Sequence, residues 1–250
     1  MSPLTSSDPS RTTSGGGTDA DVEVRQQDER LDPQQVDEAL AVLGMLAFSE
    51  LAAFSRLAAD AGMAPNLEQR LELSRLAGVA LDRLDLVAAR VVELGGELRP
   101  VMTPFAGLLT EFDERTVPRT WWERLLKAYV GYGVADDFAR IVARAVDPRT
   151  RDLVVEALSD DGHAALVVES LAAACATDAT LASRLALWGR RLFGEALGVV
   201  QGVIAHHPEL QGLLEASVAD LPGTGEPPQR LYAALTADHS RRMERLGLTP

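Results

Sequence analysis

Apolar residues recur at spacings of three and four along most of the chain beyond residue 32, and this spacing predicts long amphipathic helices. The first predicted helix begins at Asp32-Pro33, with aspartate as the cap and proline at the first position, and runs to about Gly62. The second begins at Asn66 and ends at the glycine pair Gly95-Gly96. No segment alternates apolar and polar residues for long enough to predict a sheet strand. The pattern therefore predicts an all-α fold.

A long connection separates the second predicted helix from the third. Residues 97–119 form this crossover, and one shorter helix is predicted within it from Phe105 to Glu114. A crossover of this length lets the next core helix lie parallel, where a short turn would force an antiparallel neighbour. The third core helix is predicted to follow the cap Thr120, and the fourth to span roughly residues 149–174. Together the four helices predict a bundle.

Three more helical stretches follow the predicted bundle, at residues 181–206, after Pro208, and at residues 229–246. They are too closely spaced to form an independent domain, so we expect them to pack against the bundle. Residues 1–32 are instead rich in serine, threonine, glycine, aspartate and glutamine, and they cannot bury enough surface to offset their ordering entropy. The sequence predicts a disordered tail over residues 1–32 and one helical domain over residues 33–250.

The chain carries a formal net charge of −13. Proteins that bind nucleic acid are normally basic, because phosphate neutralisation supplies most of their affinity. The charge therefore argues against a nucleic-acid partner unless arginines cluster locally. Arginines more often pair with acids or stay solvated. Six arginines are nevertheless candidates for such a patch: Arg184, Arg190, Arg191, Arg241, Arg242 and Arg245.

Nothing in the sequence predicts export or membrane insertion. No run of eighteen apolar residues is free of charge, and the N-terminus has no apolar signal sequence. The single cysteine, Cys175, lies in an alanine-rich apolar stretch, which predicts a buried and inert thiol. We therefore expect a cytoplasmic protein with no membrane partner. Trp121 and Trp122, at a helix start, are candidates either for a contact in a homo-oligomer or for core positions.

Each predicted core helix places a polar residue on its apolar face. These residues are Glu50 in the first helix, Arg83 in the second, Asp137 in the third, and the pair Asp160 and His163 in the fourth. In carboxylate di-metal bundles two helices supply one acid each, and the other two supply an acid-x-x-His pair. The predicted metal ligands are therefore Glu50, Asp137, Asp160 and His163. Solvent exposure of Glu50, or an ordinary hydrogen-bonded core role for His163, remains the alternative.

The second helix lacks its ligand pair, because the chain there reads Ala80-Leu81-Asp82-Arg83. Asp82 points roughly 200° away from the face of Ala80 and cannot replace the missing acid. A buried Arg83 would supply, through ion pairs, part of the positive charge of a metal. Alternatively its long side chain reaches solvent. In the third helix the neighbouring Asp136 leaves open a solvent-facing alternative for Asp137, and Gly131 and Gly133 would let another backbone or a ligand approach closely.

Five segments together resemble the actinobacterial ferritin-like proteins grouped with tRNA hydroxylases. They are LGMLAFSEL at 43–51, KAYVGYGVADDF at 127–138, DGHA at 161–164, LWGRRL at 187–192 and HSRRM at 239–243. The resemblance covers about residues 36–248. It implies a four-helix di-iron bundle that activates oxygen to hydroxylate a 2-methylthio-isopentenyladenosine in tRNA. Its ligand pattern carries over to Glu50, Asp137, Asp160 and His163, and it fails at Ala80 and Arg83, where relatives resemble Glu-x-x-His.

Two hypotheses follow. In the first, iron held by the surviving acids and His163 oxidises an organic substrate, such as a tRNA base. In the second, the protein is a non-catalytic ferritin-like protein with a binding or structural role, whose pocket is held by an Arg83 ion-pair network. The residues favour the second hypothesis, because geometry cannot replace the lost pair. The sequence thus predicts at most one iron per chain, or none.

Overall fold

The structure, a computed structural model, describes residues 31–159 and 161–250, and it describes their side chains except those of residues 161–163 and 166. Every regular element in these two ranges is helical, as predicted. The helices are α1 (Pro33–Met63), α2 (Leu67–Glu93), α3 (Leu98–Met102), α4 (Thr110–Arg115), α5 (Trp121–Leu126), α6 (Tyr132–Val142), α7 (Pro148–Ala157), α8 (Asp161–Thr177), α9 (Ala179–His206), α10 (Pro208–Ser217) and α11 (Pro227–Arg245). The predicted tail lies outside the described residues, apart from its last two positions.

Helices α1 and α2 form a long antiparallel hairpin. The Asp32 carboxylate accepts a hydrogen bond from the backbone N–H of Gln35, and the Gln35 side chain accepts one from the N–H of Asp32. This capping box fixes the predicted start of α1. Val42, Leu43 and Leu46 of α1 are fully buried in the main core. The hairpin thus supplies one half of the bundle.

The third core helix is continuous from α5 to α6, but a π-helical turn over Lys127–Gly131 interrupts its regular winding. All five residues of this turn are buried. A Cβ atom at Gly131 would lie 2.7 Å from the ring of Phe112, so glycine lets the turn pack closely against α4. Sequence periodicity did not predict the π turn. Such turns occur frequently at functional sites.

The fourth core helix, predicted as continuous over residues 149–174, is divided into α7 and α8. The carbonyl groups of Leu158 and Ser159 accept hydrogen bonds from Arg140 and Arg83 respectively, so side chains take over the role of backbone N–H groups. The predicted crossover helix at 105–114 is divided as well, because Gly107 has a positive φ of 88° that a right-handed helix excludes. The crossover therefore contains α3, a 3₁₀ turn over Thr103–Phe105, and α4.

The C-terminal helices pack against the bundle, as predicted. Leu210 of α10 and Leu231, Leu235 and Met243 of α11 are fully buried in the same core as α1. Cys175 is a buried free thiol, also as predicted, and burial raises its pKa. Helix α6 is consequently covered on one side by α1 and on another by α9, α10 and α11.

Helix α1 is long and apolar enough to cross a membrane, judged by length and composition alone. Core helices of soluble bundles meet the same criteria, and in this structure α1 lies in the core, where Glu50 and Asp60 are also buried. The cytoplasmic location expected from the sequence stays a prediction.

Candidate functional site

A small cavity of about 80 Å³ lies between α1, α2 and α6. The cavity, called here the central cavity, is lined in part by four ionisable side chains: Glu50 and Arg56 of α1, Arg83 of α2 and Asp136 of α6. Ala80 and Tyr132 also face it. Of the polar residues that the sequence predicted to meet in the bundle, Glu50 and Arg83 line this cavity.

Glu50 is placed as predicted. It lies in the buried face of α1, with 4% of its surface exposed, and it lines the central cavity. The alternative, in which α1 is rotated and Glu50 points to solvent, is excluded by this burial. Its assignment as a metal ligand stays a prediction.

Ala80 and Arg83, one helical turn apart on α2, both line the cavity, as the sequence predicted for the positions of the missing ligand pair. Ala80 is 2% exposed, whereas Arg83 is half-buried. The Arg83 guanidinium donates a hydrogen bond of 2.8 Å to the carbonyl oxygen of Ser159. Arg83 thus faces the cavity acids and also anchors the end of α7. Its predicted ion pairs with those acids stay a prediction.

Arg56 is a second cation at the cavity, and sequence analysis missed it. Its guanidinium carbon lies 3.5 Å from the centre of the Tyr132 ring, in cation–π contact. Arg56 lies six residues after Glu50, which places the two about 120° apart around α1. Helical spacing therefore gave no indication that both would line one cavity.

The two adjacent acids of α6 have different environments. Asp136 lines the central cavity with Glu50, and burial raises the pKa of its carboxyl group, while Arg140 and Arg242 act in the opposite direction. Asp137, the predicted ligand, is buried on another side of α6, where Arg242 of α11 binds both its carboxylate oxygens and Arg140 adds a contact of 3.3 Å. Asp136 is thus the acid of this helix nearest to the predicted site.

The group that approaches Gly133 closely, as predicted for this position, is the side chain of Arg242. A Cβ atom at position 133 would lie 2.8 Å from Arg242 Nε. The guanidinium therefore lies directly against the backbone of α6, where it reaches Asp137. Sequence analysis expected a backbone or a ligand in this place, and the structure shows a side chain that lies 105 residues after Asp137 in the chain.

The last two predicted ligands, Asp160 and the side chain of His163, lie outside the described part of the structure. The backbone of His163 belongs to α8. Within the part of the chain that is described, no three histidine, cysteine, aspartate or glutamate residues are grouped so that they could hold a metal ion.

The described residues at the central cavity do not by themselves supply the ligands of a pair of metal ions. A di-metal bundle needs four acids and two histidines, whereas the described walls supply Glu50 and Asp136 together with the cations Arg56 and Arg83. Guanidinium groups stay charged at any pH at which the protein is folded. Two such charges beside two carboxylates would oppose the binding of divalent cations by repulsion.

Most of the arginines considered as a basic patch are engaged with other groups. Arg184, Arg241 and Arg242 form salt bridges with Glu123, Asp238 and Asp137. Arg190 and Arg191 donate to backbone carbonyl oxygens. Trp121 and Trp122 are partly buried against the main core. The homo-oligomer stays a prediction, and so does the argument from net charge against a tRNA partner.

The chain matches a known protein family. A family model described as a ferritin-like domain of actinomycetes matches residues 34–217, which is well over half of the chain. These residues extend from the first turn of α1 to the end of α10. No curated protein matches the chain.

Proposed function

Because the chain belongs to the family of actinomycete ferritin-like domains, we propose that it is a non-catalytic member, in which arginines line the cavity expected to hold a metal centre. Its role is then that of a binding or structural protein built on the ferritin-like bundle.

One observation carries this proposal: Arg56 and Arg83 share the walls of the central cavity with Glu50 and Asp136. Buried carboxylates need a cation, a metal ion or a proton. Two guanidinium groups supply cations, and the raised pKa of Asp136 favours a bound proton on that carboxyl group. The acids of the site can therefore be stabilised without iron.

The size of the cavity supports the same proposal. Sites for organic ligands typically enclose roughly 300–1,000 Å³, whereas the central cavity has about 80 Å³. A space of that volume holds a few water molecules or a small ion. It does not accommodate a modified adenosine beside a reactive centre.

The alternative function is an iron- and oxygen-dependent hydroxylase acting on a modified tRNA adenosine or another organic substrate. Two observations favour it: the resemblance in five segments, and the π-helical turn over Lys127–Gly131, which lies beside the central cavity. The two functions predict different metal contents.

Elemental analysis of the full chain, purified after growth with iron, tests the proposal. We expect at most about one iron per chain, and a value near zero, because only part of the ligand set is present. Two irons per chain would contradict the proposal and favour the hydroxylase.

A restored ligand pair provides a second test. Ala80→Glu with Arg83→His should create metal-dependent stability, because a ligand that binds only the folded state raises the melting temperature. The matched control is Leu71→Glu with Ser74→His, which has the same spacing on the exposed face of α2. If ferrous iron stabilises both double variants equally, the central cavity is not a former metal site.

A further inference from the structure

A second cavity, called here the arginine cavity, lies next to the central cavity and shares Asp136 with it. Its volume is about 270 Å³. Arg140, Arg242 and Arg245 line it, together with Tyr129 from the π-helical turn. The bundle and the C-terminal helix α11 therefore build this cavity jointly.

The hydroxyl group of Tyr129 indicates that the arginine cavity binds a ligand. Tyr129 is 6% exposed, and its hydroxyl oxygen is buried without a hydrogen-bond partner among the described residues. Buried hydroxyl groups are nearly always hydrogen-bonded, because leaving one unpaired costs free energy. Because Tyr129 lines the cavity, a ligand that enters there and shifts the ring slightly would give this donor an acceptor atom.

The charge around Tyr129 indicates which acceptor would bind. Three guanidinium groups line the cavity, whereas the neighbouring carboxylates are those of Asp136 and Asp137. The positive charges of Arg245 and Arg242 both act on the Tyr129 phenol. Among the described residues the wall is thus net positive and rich in N–H and O–H donors, which favours an anion with several oxygen atoms.

We propose that the arginine cavity binds the phosphate group of a small molecule. Arginines and a hydroxyl group from three parts of the chain supply donors from several directions, which suits a tetrahedral phosphate better than the two oxygens of a carboxylate. A small ligand fits better than nucleic acid, because the chain carries a net charge of −13 and the neighbouring Arg241 is paired with Asp238. The site does not depend on whether the central cavity binds metal.

Titration of the full chain with inorganic phosphate tests this site, with chloride used to keep the ionic strength constant. We expect saturable binding of one phosphate per chain, and a melting temperature that rises with phosphate and not with chloride. Arg245→Gln should weaken phosphate binding about tenfold, because one charged donor is lost. Arg241→Gln, an exposed arginine on the same helix, is the matched control and should change binding less than about twofold.

Tyr129→Phe separates ligand binding from a purely structural role. Removal of the unpaired hydroxyl should raise the melting temperature in chloride and reduce phosphate affinity about tenfold. A parent protein that shows no phosphate-specific response would overturn the proposal, and so would unchanged affinity in Tyr129→Phe. If acetate binds as tightly as phosphate, the phosphate assignment is wrong and the ligand is a carboxylate. Tighter, Arg245-dependent binding of a short single-stranded RNA would overturn the small-molecule assignment.

Discussion

Arg242 of α11 binds both carboxylate oxygens of Asp137 in α6, and one of these contacts is 2.7 Å long. The side chains are only 16% and 9% exposed, so the ion pair is largely shielded from water. It connects the last helix of the chain to the third core helix. It also fixes the guanidinium that lines the arginine cavity.

Arg242→Met should lower the free energy of unfolding by about 3 kcal/mol, because it leaves the buried Asp137 carboxylate without its main partner. Urea denaturation at pH 7 measures this loss. Arg241→Met is the control, since Arg241 is 64% exposed and pairs with Asp238 at the surface; it should change stability by less than about 1 kcal/mol. Equal losses in the two variants would contradict the assigned role of the pair.

Gly133→Ala should also destabilise the protein, since its Cβ atom would lie 2.8 Å from Arg242 Nε and push the guanidinium away from Asp137. We expect a loss of about 1–2 kcal/mol from overpacking. Gly194→Ala is the matched control, because position 194 lies in a helix with nothing within 4 Å of a new Cβ atom. It should raise stability by about 0.5–1 kcal/mol. The opposite order in thermal melts would show that Arg242 moves aside without cost.

The helices were predictable because long apolar faces, caps and glycine stops are local properties of the sequence. The buried face of α6 shows what apolar periodicity does not predict. Asp137 does lie on an apolar face, but α6 is covered both by α1 and by α11, and periodicity does not distinguish the two neighbours. Asp136, only about 100° away around the helix, is therefore the acid that lines the central cavity with Glu50.

The cations of the site were harder to predict than its acids. Ala80 and Arg83 were found because a known ligand pattern is interrupted there. No known ligand pattern includes the positions of Arg56 and Arg242. Arg242 also lies 105 residues from Asp137 in the chain. Long-range pairs of this kind depend on tertiary packing, which a single sequence does not encode in any fixed spacing.

His239 should make the protein less stable in mild acid. The side chain is 3% exposed and stacks on Phe193 with ring centres 4.2 Å apart. Burial, together with the charges of Arg242 and Arg190, lowers its pKa from 6.5 to about 4. Between these values the unfolded chain binds a proton that the folded protein does not, so stability falls as the pH decreases. The loss should be about 2 kcal/mol between pH 7.5 and pH 5.

His239→Phe, which keeps a ring against Phe193, should remove this part of the pH dependence in urea titrations at the two pH values. His206→Gln is the control, because it removes an exposed histidine in place of a buried one. If His239→Phe loses as much stability in acid as the parent, other groups cause the acid sensitivity.

Substitution of Arg83 tests whether arginine stabilises the acids of the central cavity. If its guanidinium stabilises the cavity acids, Arg83→Met should cost more at pH 7 than at pH 4.5. The reason is that burial already raises the pKa of Asp136 from 3.8, and on this hypothesis removal of the Arg83 charge would raise that pKa further. The folded protein would then hold a proton that the unfolded chain releases, so stability would decrease as the pH rises through that range.

We expect losses of about 1 kcal/mol at pH 4.5 and about 2 kcal/mol at pH 7, with Arg83→Lys close to the parent at both. Arg75→Met, on the exposed face of α2, is the control and should change little. Equal losses at the two pH values would mean that Arg83 only anchors the Ser159 carbonyl group, and that the acids of the cavity depend on another partner.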